Sequence, residues 1–321
     1  MRAEDSGDCA VLGAGLMGHG IAQVLAQRPG RVWLYDIAQP VLERALARIE
    51  ASLGQLADYG LIDEEWPAVV LGRIQPTTDL APALEKAWLV AEAAPEDLAL
   101  KRRLMAQVEK WAPPEAIVAI NSSGLTLAQI GEGMQQRQRV VGSHFFLPAQ
   151  LVPLVEVSRG AETSAEVVER VLAHWRACGK DPIRIEGDIP GYIANRMQGA
   201  LVREATSLLG QGLASAEDID KAVRLGFGLR YLVSGPLEQR DLGGLELHVA
   251  LAGQMWPHLN TSPGPHPFVV DQVQRGETGL DAGRGFIDWQ DRDPEKVRQQ
   301  RSQELVDCLV RLGLWSGPDT R

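Results

Sequence analysis

Of the six histidines in this chain, His144 stands at the end of a strand-like run, Gly142-Ser143-His144-Phe145-Phe146-Leu147-Pro148. Twelve residues on, Glu156 interrupts the apolar segment 151–157. A carboxylate inside an apolar strand is costly to bury alone and seeks a partner. Paired with His144, it would fix the tautomer of the imidazole and leave the second ring nitrogen free to act as a general base. An alcohol undergoing oxidation needs such a base, because it loses a proton from oxygen as hydride leaves carbon. The same spacing is equally compatible with a core histidine and a surface acid on an edge strand.

A hydride acceptor is signalled near the start of the chain. Val11-Leu12-Gly13-Ala14-Gly15-Leu16-Met17-Gly18-His19-Gly20 is a GxGxxG run between a short apolar segment and an amphipathic one. In a βαβ unit Gly13 would allow the tight turn, Gly15 would let the backbone approach a pyrophosphate, and Gly18 would let helix and strand pack closely. Leu16 and Met17 complete the turn, and the unpaired N–H groups of the helix would hold the phosphate charge. A second β-like run, Arg31-Val32-Trp33-Leu34-Tyr35-Asp36, ends in an acid at the ~20-residue distance where a ribose-binding carboxylate belongs. Asp36 favours NAD over NADP, since it accepts from ribose hydroxyls and repels a 2′-phosphate, and no Arg follows in Ile37-Ala38-Gln39.

These residues need a sheet to carry them. Strand-like segments at 10–12, 32–35, 89–91, 116–120, 140–142, 152–157 and 182–185 alternate with helical ones such as 41–54, 98–110 and 165–178. That alternation predicts an α/β domain with a Rossmann-type, doubly wound parallel sheet and a ligand beyond the carboxyl ends of its strands. Past Gly187-Asp188-Ile189-Pro190-Gly191 the pattern turns helical, at 192–209, 216–225, 237–255 and 294–312. The expected division is 1–188 for a dinucleotide-binding domain and 189–321 for an all-α C-terminal domain. Ile193, Met197, Leu201, Ala205 and Leu208 form an apolar stripe, with Asn195 ~200° around the helix from Ile193. The last helix is expected to start on Asp293 and Pro294 and to pack through Leu305, Cys308, Leu309 and Leu312.

Composition narrows the function classes. With 321 residues and 45% hydrophobic content the chain can bury a full core. A formal charge of −10, from 32 basic and 42 acidic residues, argues against nucleic acid or an anionic membrane as partner. Cys9, Cys178 and Cys308 are far apart and form no CxxC, which suits a reducing cytosol and neither a disulfide framework nor a metal site. The first eight residues carry acids and no apolar run, and no 18 apolar residues are consecutive, so a cytoplasmic protein is expected.

Five motifs in order, GAGLMGHGIAQVLA, AEAAPEDLALK (91–101), NSSGL (121–125), SHFFLPAQLVPLVEV and DIPGYIANRM (188–197), resemble the L-3-hydroxyacyl-CoA dehydrogenase superfamily over nearly the whole chain. The resemblance implies that His144 is the catalytic base and Glu156 its orienting partner. It implies that Ser123 and Asn195 hydrogen-bond the substrate oxygen, that Gly13, Gly15, Gly18 and Asp36 hold the dinucleotide, and that Glu96, Lys101 and Asn121 lie near the nicotinamide and its ribose. Lys101, on a helical stretch, also reads as a solvated side chain, and Ser122 replaces Ser123 if the turn is shifted by one. Leu147 departs from the pattern, which usually has Asn there. A homodimer through the helical domain is implied as well.

The superfamily has two branches, one for 3-hydroxyacyl-CoA thioesters and one for small free hydroxy acids, as in L-gulonate 3-dehydrogenase (the lambda-crystallin relatives) and L-carnitine dehydrogenase. The stretch 53–65, LGQLADYGLIDEE, has no Lys or Arg to meet CoA phosphates and several acids that would repel them. The stretch 226–238 resembles the free-acid branch, and its Arg230 is suited to clamp a carboxylate with two parallel bonds. An ordinary surface arginine or an interdomain ion pair is the other reading of Arg230. The expectation is therefore NAD-dependent oxidation of a small 3-hydroxy carboxylic acid to the 3-oxo acid, with short-chain CoA thioesters as the alternative substrates.

Overall fold

The computed structural model describes residues 7–314. Eight strands and seven helices build its first part. In chain order these are β1 (Asp8–Leu12), α1 (Gly18–Leu25), β2 (Val32–Tyr35), α2 (Gln39–Asp58), α3 (Trp66–Arg73), β3 (Ile74–Thr77), α4 (Leu80–Leu84) and β4 (Ala87–Glu92). They continue with α5 (Leu98–Trp111), β5 (Ile117–Ile120), α6 (Leu127–Ile130), β6 (Val140–Phe145), β7 (Leu154–Ser158), α7 (Ala165–Ala177) and β8 (Asp181–Ile185).

The strands form one sheet in the order β3-β2-β1-β4-β5-β6-β7-β8. The first six are parallel, in the Rossmann order, and β7 runs antiparallel to β6 with β8 parallel to β7. Parallel strands buried on both faces read as continuous apolar runs, and β4 and β5 are buried along their whole length. One apolar cluster, from Val11 and Ile21 through Leu89 to Val155 and Trp175, fills one face; a second, around Leu12, Val90, Met105 and Val118, fills the other.

Two strand expectations change. β3 goes unmarked in the sequence pattern, because Ile74-Gln75-Pro76-Thr77 carries a proline and little alternation; at the sheet edge a proline breaks no ladder. β6 runs to Phe145, so His144 lies within the strand, one residue from its end.

The chain packs as two compact units: one runs up to Ile193 and resumes at Ser302, and the other is Ala194–Arg301. The second is helical: α8 (Ala194–Gly210), α9 (Ala216–Lys221), a π-helical stretch (Ala222–Gly228), α10 (Leu229–Tyr231), α11 (Pro236–Gly243), α12 (Leu245–Met255) and α13 (Pro267–Gln274). The single helix expected over 237–255 is broken at Gly244, whose φ of +87° a helix cannot hold. Met197 and Leu201 of the predicted stripe are exposed, as are Val233, Leu237 and Leu242.

The last helix, α14 (Pro294–Arg311), starts as expected, with Asp293 Oδ1 accepting from the Glu295 and Lys296 N–H groups. Its far end buries Val306 and Leu309 in the first unit's core. Of the expected packing residues Leu309 is buried and Leu305 partly so, whereas Cys308 and Leu312 are exposed, because the buried face turns toward Val306.

Candidate active site

The Gly-rich turn joins β1 to α1. A Cβ on Gly18 would lie 1.7 Å from the Gly13 carbonyl oxygen, so the turn closes only on glycine. Where a Cβ on Gly15 would stand there is nothing within 4 Å, the open approach a pyrophosphate needs. His19, buried on α1, bonds the Gly15 carbonyl through Nδ1 at 2.9 Å and stiffens the turn; burial pulls its imidazole below the ordinary range. Leu16 is exposed, whereas Met17 packs partly on the core.

Asp36 directly follows β2 and links it to this turn. Oδ2 accepts from the Ala14 N–H at 3.0 Å and Oδ1 from the Ala38 N–H at 3.2 Å. Each carboxylate oxygen keeps a second lone pair for a ribose hydroxyl. The residues present fit a dinucleotide: a glycine turn with open space at its second glycine, a helix N-terminus and an acid at the end of the second strand.

At the ends of β4 and β5 lies a buried ionic cluster. Glu92 and Lys101 are both fully buried, with Lys101 Nζ 2.7 Å from each Glu92 oxygen and 3.1 Å from the Ala94 carbonyl. The solvated reading of Lys101 is therefore excluded. Its partner Glu92 is a residue that sequence reasoning missed; the signal was an acid closing the apolar run 87–92.

Lys101 also lies 3.6 Å from Glu96. Glu96 accepts from Ser122 Oγ at 2.6 Å, from the Gly124 N–H at 2.8 Å and from the Leu125 N–H at 3.2 Å. Burial alone would push its carboxyl up, but these donors and the Lys101 ammonium outweigh it and hold Glu96 below the ordinary carboxylate range. The register of the NSSGL turn follows: Ser122 is buried and spent on Glu96, whereas Ser123 is exposed and free of that duty. Asn121 Oδ1 accepts from the Phe145 N–H at 2.8 Å and fastens the same turn to β6.

On β6 and β7 the two residues read from the sequence are direct cross-strand partners. His144 Nδ1 is 2.9 Å from Glu156 Oε2, and His144 Nε2 is 3.0 Å from Ser123 Oγ. The other Glu156 oxygen accepts from the Ile193 N–H at 2.9 Å. Glu156 is fully buried and His144 nearly so, and the line ends on an exposed serine hydroxyl. An imidazole held in this way presents Nε2 to the Ser123 hydroxyl, the arrangement that a general base for a hydroxyl proton requires. Glu156 is therefore not a surface acid, and the buried His144 has it as partner.

Comparison with known proteins places the chain. The 3-hydroxyacyl-CoA dehydrogenase NAD binding domain matches residues 8–189, and the 3-hydroxyacyl-CoA dehydrogenase C-terminal domain matches residues 191–289. The chain belongs to the 3-hydroxyacyl-CoA dehydrogenase family. As a family member it is an NAD-dependent oxidoreductase. It is 37% identical over 282 residues to the 3-hydroxyadipyl-CoA dehydrogenase of Escherichia coli (strain K12), covering 87% of this chain and 58% of that longer enzyme. It is 34% identical to the human mitochondrial hydroxyacyl-coenzyme A dehydrogenase, over 86% of this chain and 89% of that one. The 5-formyl-3-hydroxy-2-methylpyridine 4-carboxylate 5-dehydrogenase of Mesorhizobium japonicum is 28% identical, over 92% and 95% of the two chains. A crystal structure of an enzyme of that name, described as an NAD+-dependent dismutase, superimposes with a TM-score of 0.89 at 27% identity, over 95% of this chain and 98% of that one. A 3-hydroxybutyryl-CoA dehydrogenase structure from Escherichia coli gives 0.74 at 36% identity, over 90% and 60%.

In the helical unit, Asn195 is half-buried in the first turn of α8 and Arg230 is exposed on α10. Among the described residues no group of His, Cys, Asp and Glu could hold a metal ion, and no helix is long and apolar enough to cross a membrane. Cys9 and Cys178 are buried free thiols and Cys308 is an exposed one.

Proposed function

We propose that this dehydrogenase oxidises the 3-hydroxyl of a small free 3-hydroxy carboxylic acid to the 3-oxo acid. The observation that carries the chemistry is the unbroken line from Ser123 through His144 to Glu156. NAD, when bound, supplies the hydride acceptor. Ser123 bonds the substrate hydroxyl and His144 takes its proton through Nε2. Glu156 holds the ring and stabilises the imidazolium that results. Asn195 acts as a second donor to the substrate oxygen, and Arg230 clamps the carboxylate. On the cofactor side we assign Gly13, Gly15, Leu16, Met17, Gly18 and Asp36 to the dinucleotide, with Glu96, Lys101 and Asn121 at the nicotinamide ribose; Lys101, buried against Glu92, acts there by holding Glu96.

The free-acid branch is supported by the acidic, cation-free stretch 53–65 and by the fold's likeness to a pyridine-carboxylate enzyme over nearly both whole chains. Relatives named for CoA thioesters support the second reading, a short-chain L-3-hydroxyacyl-CoA dehydrogenase. We further propose residues 1–188 as the dinucleotide-binding part and 189–321 as the substrate and dimerisation part of a cytoplasmic homodimer. The exposed Val233, Leu237 and Leu242 support a partner surface on the helical part.

A substrate panel tests the choice. NAD reduction by free 3-hydroxy acids at alkaline pH is expected to exceed acetoacetyl-CoA reduction by NADH in kcat/KM. Turnover of acetoacetyl-CoA with inert free acids would replace this reading with the thioester one.

A further inference from the structure

One tripeptide, Gly191-Tyr192-Ile193, touches all three members of the Ser123–His144–Glu156 line. The Gly191 N–H donates to the Ser123 carbonyl at 2.9 Å, and the Ile193 N–H donates to Glu156 Oε1 at 2.9 Å. Between them the Tyr192 ring lies parallel to the His144 imidazole, with centroids 4.9 Å and planes 8° apart. Phe146 meets the same imidazole edge-on at 4.8 Å.

Tyr192 is buried and holds φ at +47°, in the left-handed region that side-chain-bearing residues seldom adopt. Such a backbone persists only where its surroundings over-determine it. Here they do. Gly142, two residues before His144, pairs across the strands with Ser158, two residues after Glu156, so all four positions share one face of the sheet. A Cβ on Gly142 would stand 2.0 Å from Ser158 Oγ and 2.8 Å from the Tyr192 hydroxyl, so the absent side chain leaves the slot that the phenol fills. Burial pushes that phenol up to about 12, so it remains neutral through the working range.

We propose that Tyr192 is a positioning residue for the reaction: seated by its phenol in the Gly142–Ser158 slot, its ring holds the plane of His144 so that Nδ1 stays on Glu156 and Nε2 on Ser123. The aromatic face also favours the imidazolium that forms when the ring takes a proton. The inference rests on His144 as the base. A planar side chain at 192 is what the role requires, and an apolar filler without a face does not supply it.

The test compares Tyr192→Phe, which keeps the ring, with Tyr192→Leu and Tyr192→Met, which fill the space without one. Turnover of free 3-hydroxy acids with NAD and of acetoacetyl-CoA with NADH is measured beside the NADH Kd. Tyr192→Leu and Tyr192→Met are expected to lower kcat on the order of tenfold to a hundredfold, as a small misplacement of a catalytic group does. The NADH Kd and cofactor KM stay at the parent values, and Tyr192→Phe restores kcat. Parent-like kcat in either ringless variant overturns the proposal. So does a Tyr192→Phe defect as deep as theirs, or a loss of NADH binding in step with kcat, which would mark a purely structural role. His144→Gln separates the two readings: full turnover there removes the base itself, whereas an inactive His144→Gln beside an unimpaired Tyr192→Leu removes only the positioning role.

Discussion

His144 on β6 and Glu156 on β7 face each other across the only antiparallel pairing in the sheet among the described residues, and that register joins their side chains at 2.9 Å. Had β7 continued the parallel series, a crossover helix would have separated the two in sequence and space. The reversal after Pro148 brings an acid back beside the imidazole within twelve residues.

Glu156→Gln keeps the shape of this pair and removes its charge. The amide no longer dictates which ring nitrogen carries the proton and no longer stabilises the imidazolium. Turnover is expected to fall by roughly 10³- to 10⁴-fold, as for an isosteric change in a comparable base–orienter pair, while NADH binding measured by fluorescence titration is retained. Turnover near the parent value would take Glu156 out of the mechanism.

Lys101→Met strips a fully buried carboxylate, Glu92, of its only bidentate cationic contact among the described residues. Breaking such a pair from one side costs about 3–5 kcal/mol, because a charge is left uncompensated. The urea midpoint is expected to drop accordingly, and the double variant Lys101→Met/Glu92→Leu to recover most of the loss. A double variant no better than the single one would mean that the pair serves something other than charge balance.

Much of this site could be read before any coordinates, for identifiable reasons. His144 and Glu156 stood out because polar residues in apolar strands are expensive, and the Gly-rich turn because glycines punctuate strand ends; the NSSGL turn was marked only by the family resemblance. Sequence spacing could not choose between Ser122 and Ser123; in the fold Ser122 bonds Glu96 and Ser123 is the one beside His144. Tyr192 escaped notice, since stacking on a ring 48 positions away leaves no periodic trace, and its left-handed backbone is visible only in three dimensions. β3 was hidden by its proline, and the break at Gly244 by the strong apolar period on either side of it.

The proposed role of Asp36, choosing NAD over NADP through charge, can be tested directly. Replacing it with Ser removes the repulsion against a 2′-phosphate and the bond to the Ala14 N–H. The NAD over NADP ratio in kcat/KM is expected to fall on the order of tenfold to a hundredfold, as removal of a like-charge repulsion at a partly exposed site does. An unchanged ratio would place the ribose elsewhere.

Arg230→Met separates substrate from cofactor. If the guanidinium clamps a carboxylate, the KM for free 3-hydroxy acids rises on the order of tenfold or more while the KM for NAD stays put. Equal changes in both, or none, would refute the clamp and return Arg230 to the role of a surface charge.

Lys180 makes stability depend on pH in a direction that can be worked out. Its ammonium donates to the Ala149 carbonyl at 2.7 Å and the Val152 carbonyl at 2.9 Å, just past β6, and burial pulls it down from 10.5 to about 7. Between those values the unfolded chain holds a proton that the folded chain has released. The unfolded state then binds more protons, and stability rises with pH. Above about 9 the buried Cys178 thiol, pushed up to about 12 by burial, acts in the opposite sense, so the rise is cleanest from pH 7 to 9. Lys180→Met has no such proton, and its Tm is expected to change less over that interval, leaving the parent protein to gain on the variant as pH increases. A Tm difference that is the same at both ends would show that Lys180 remains charged in the fold throughout.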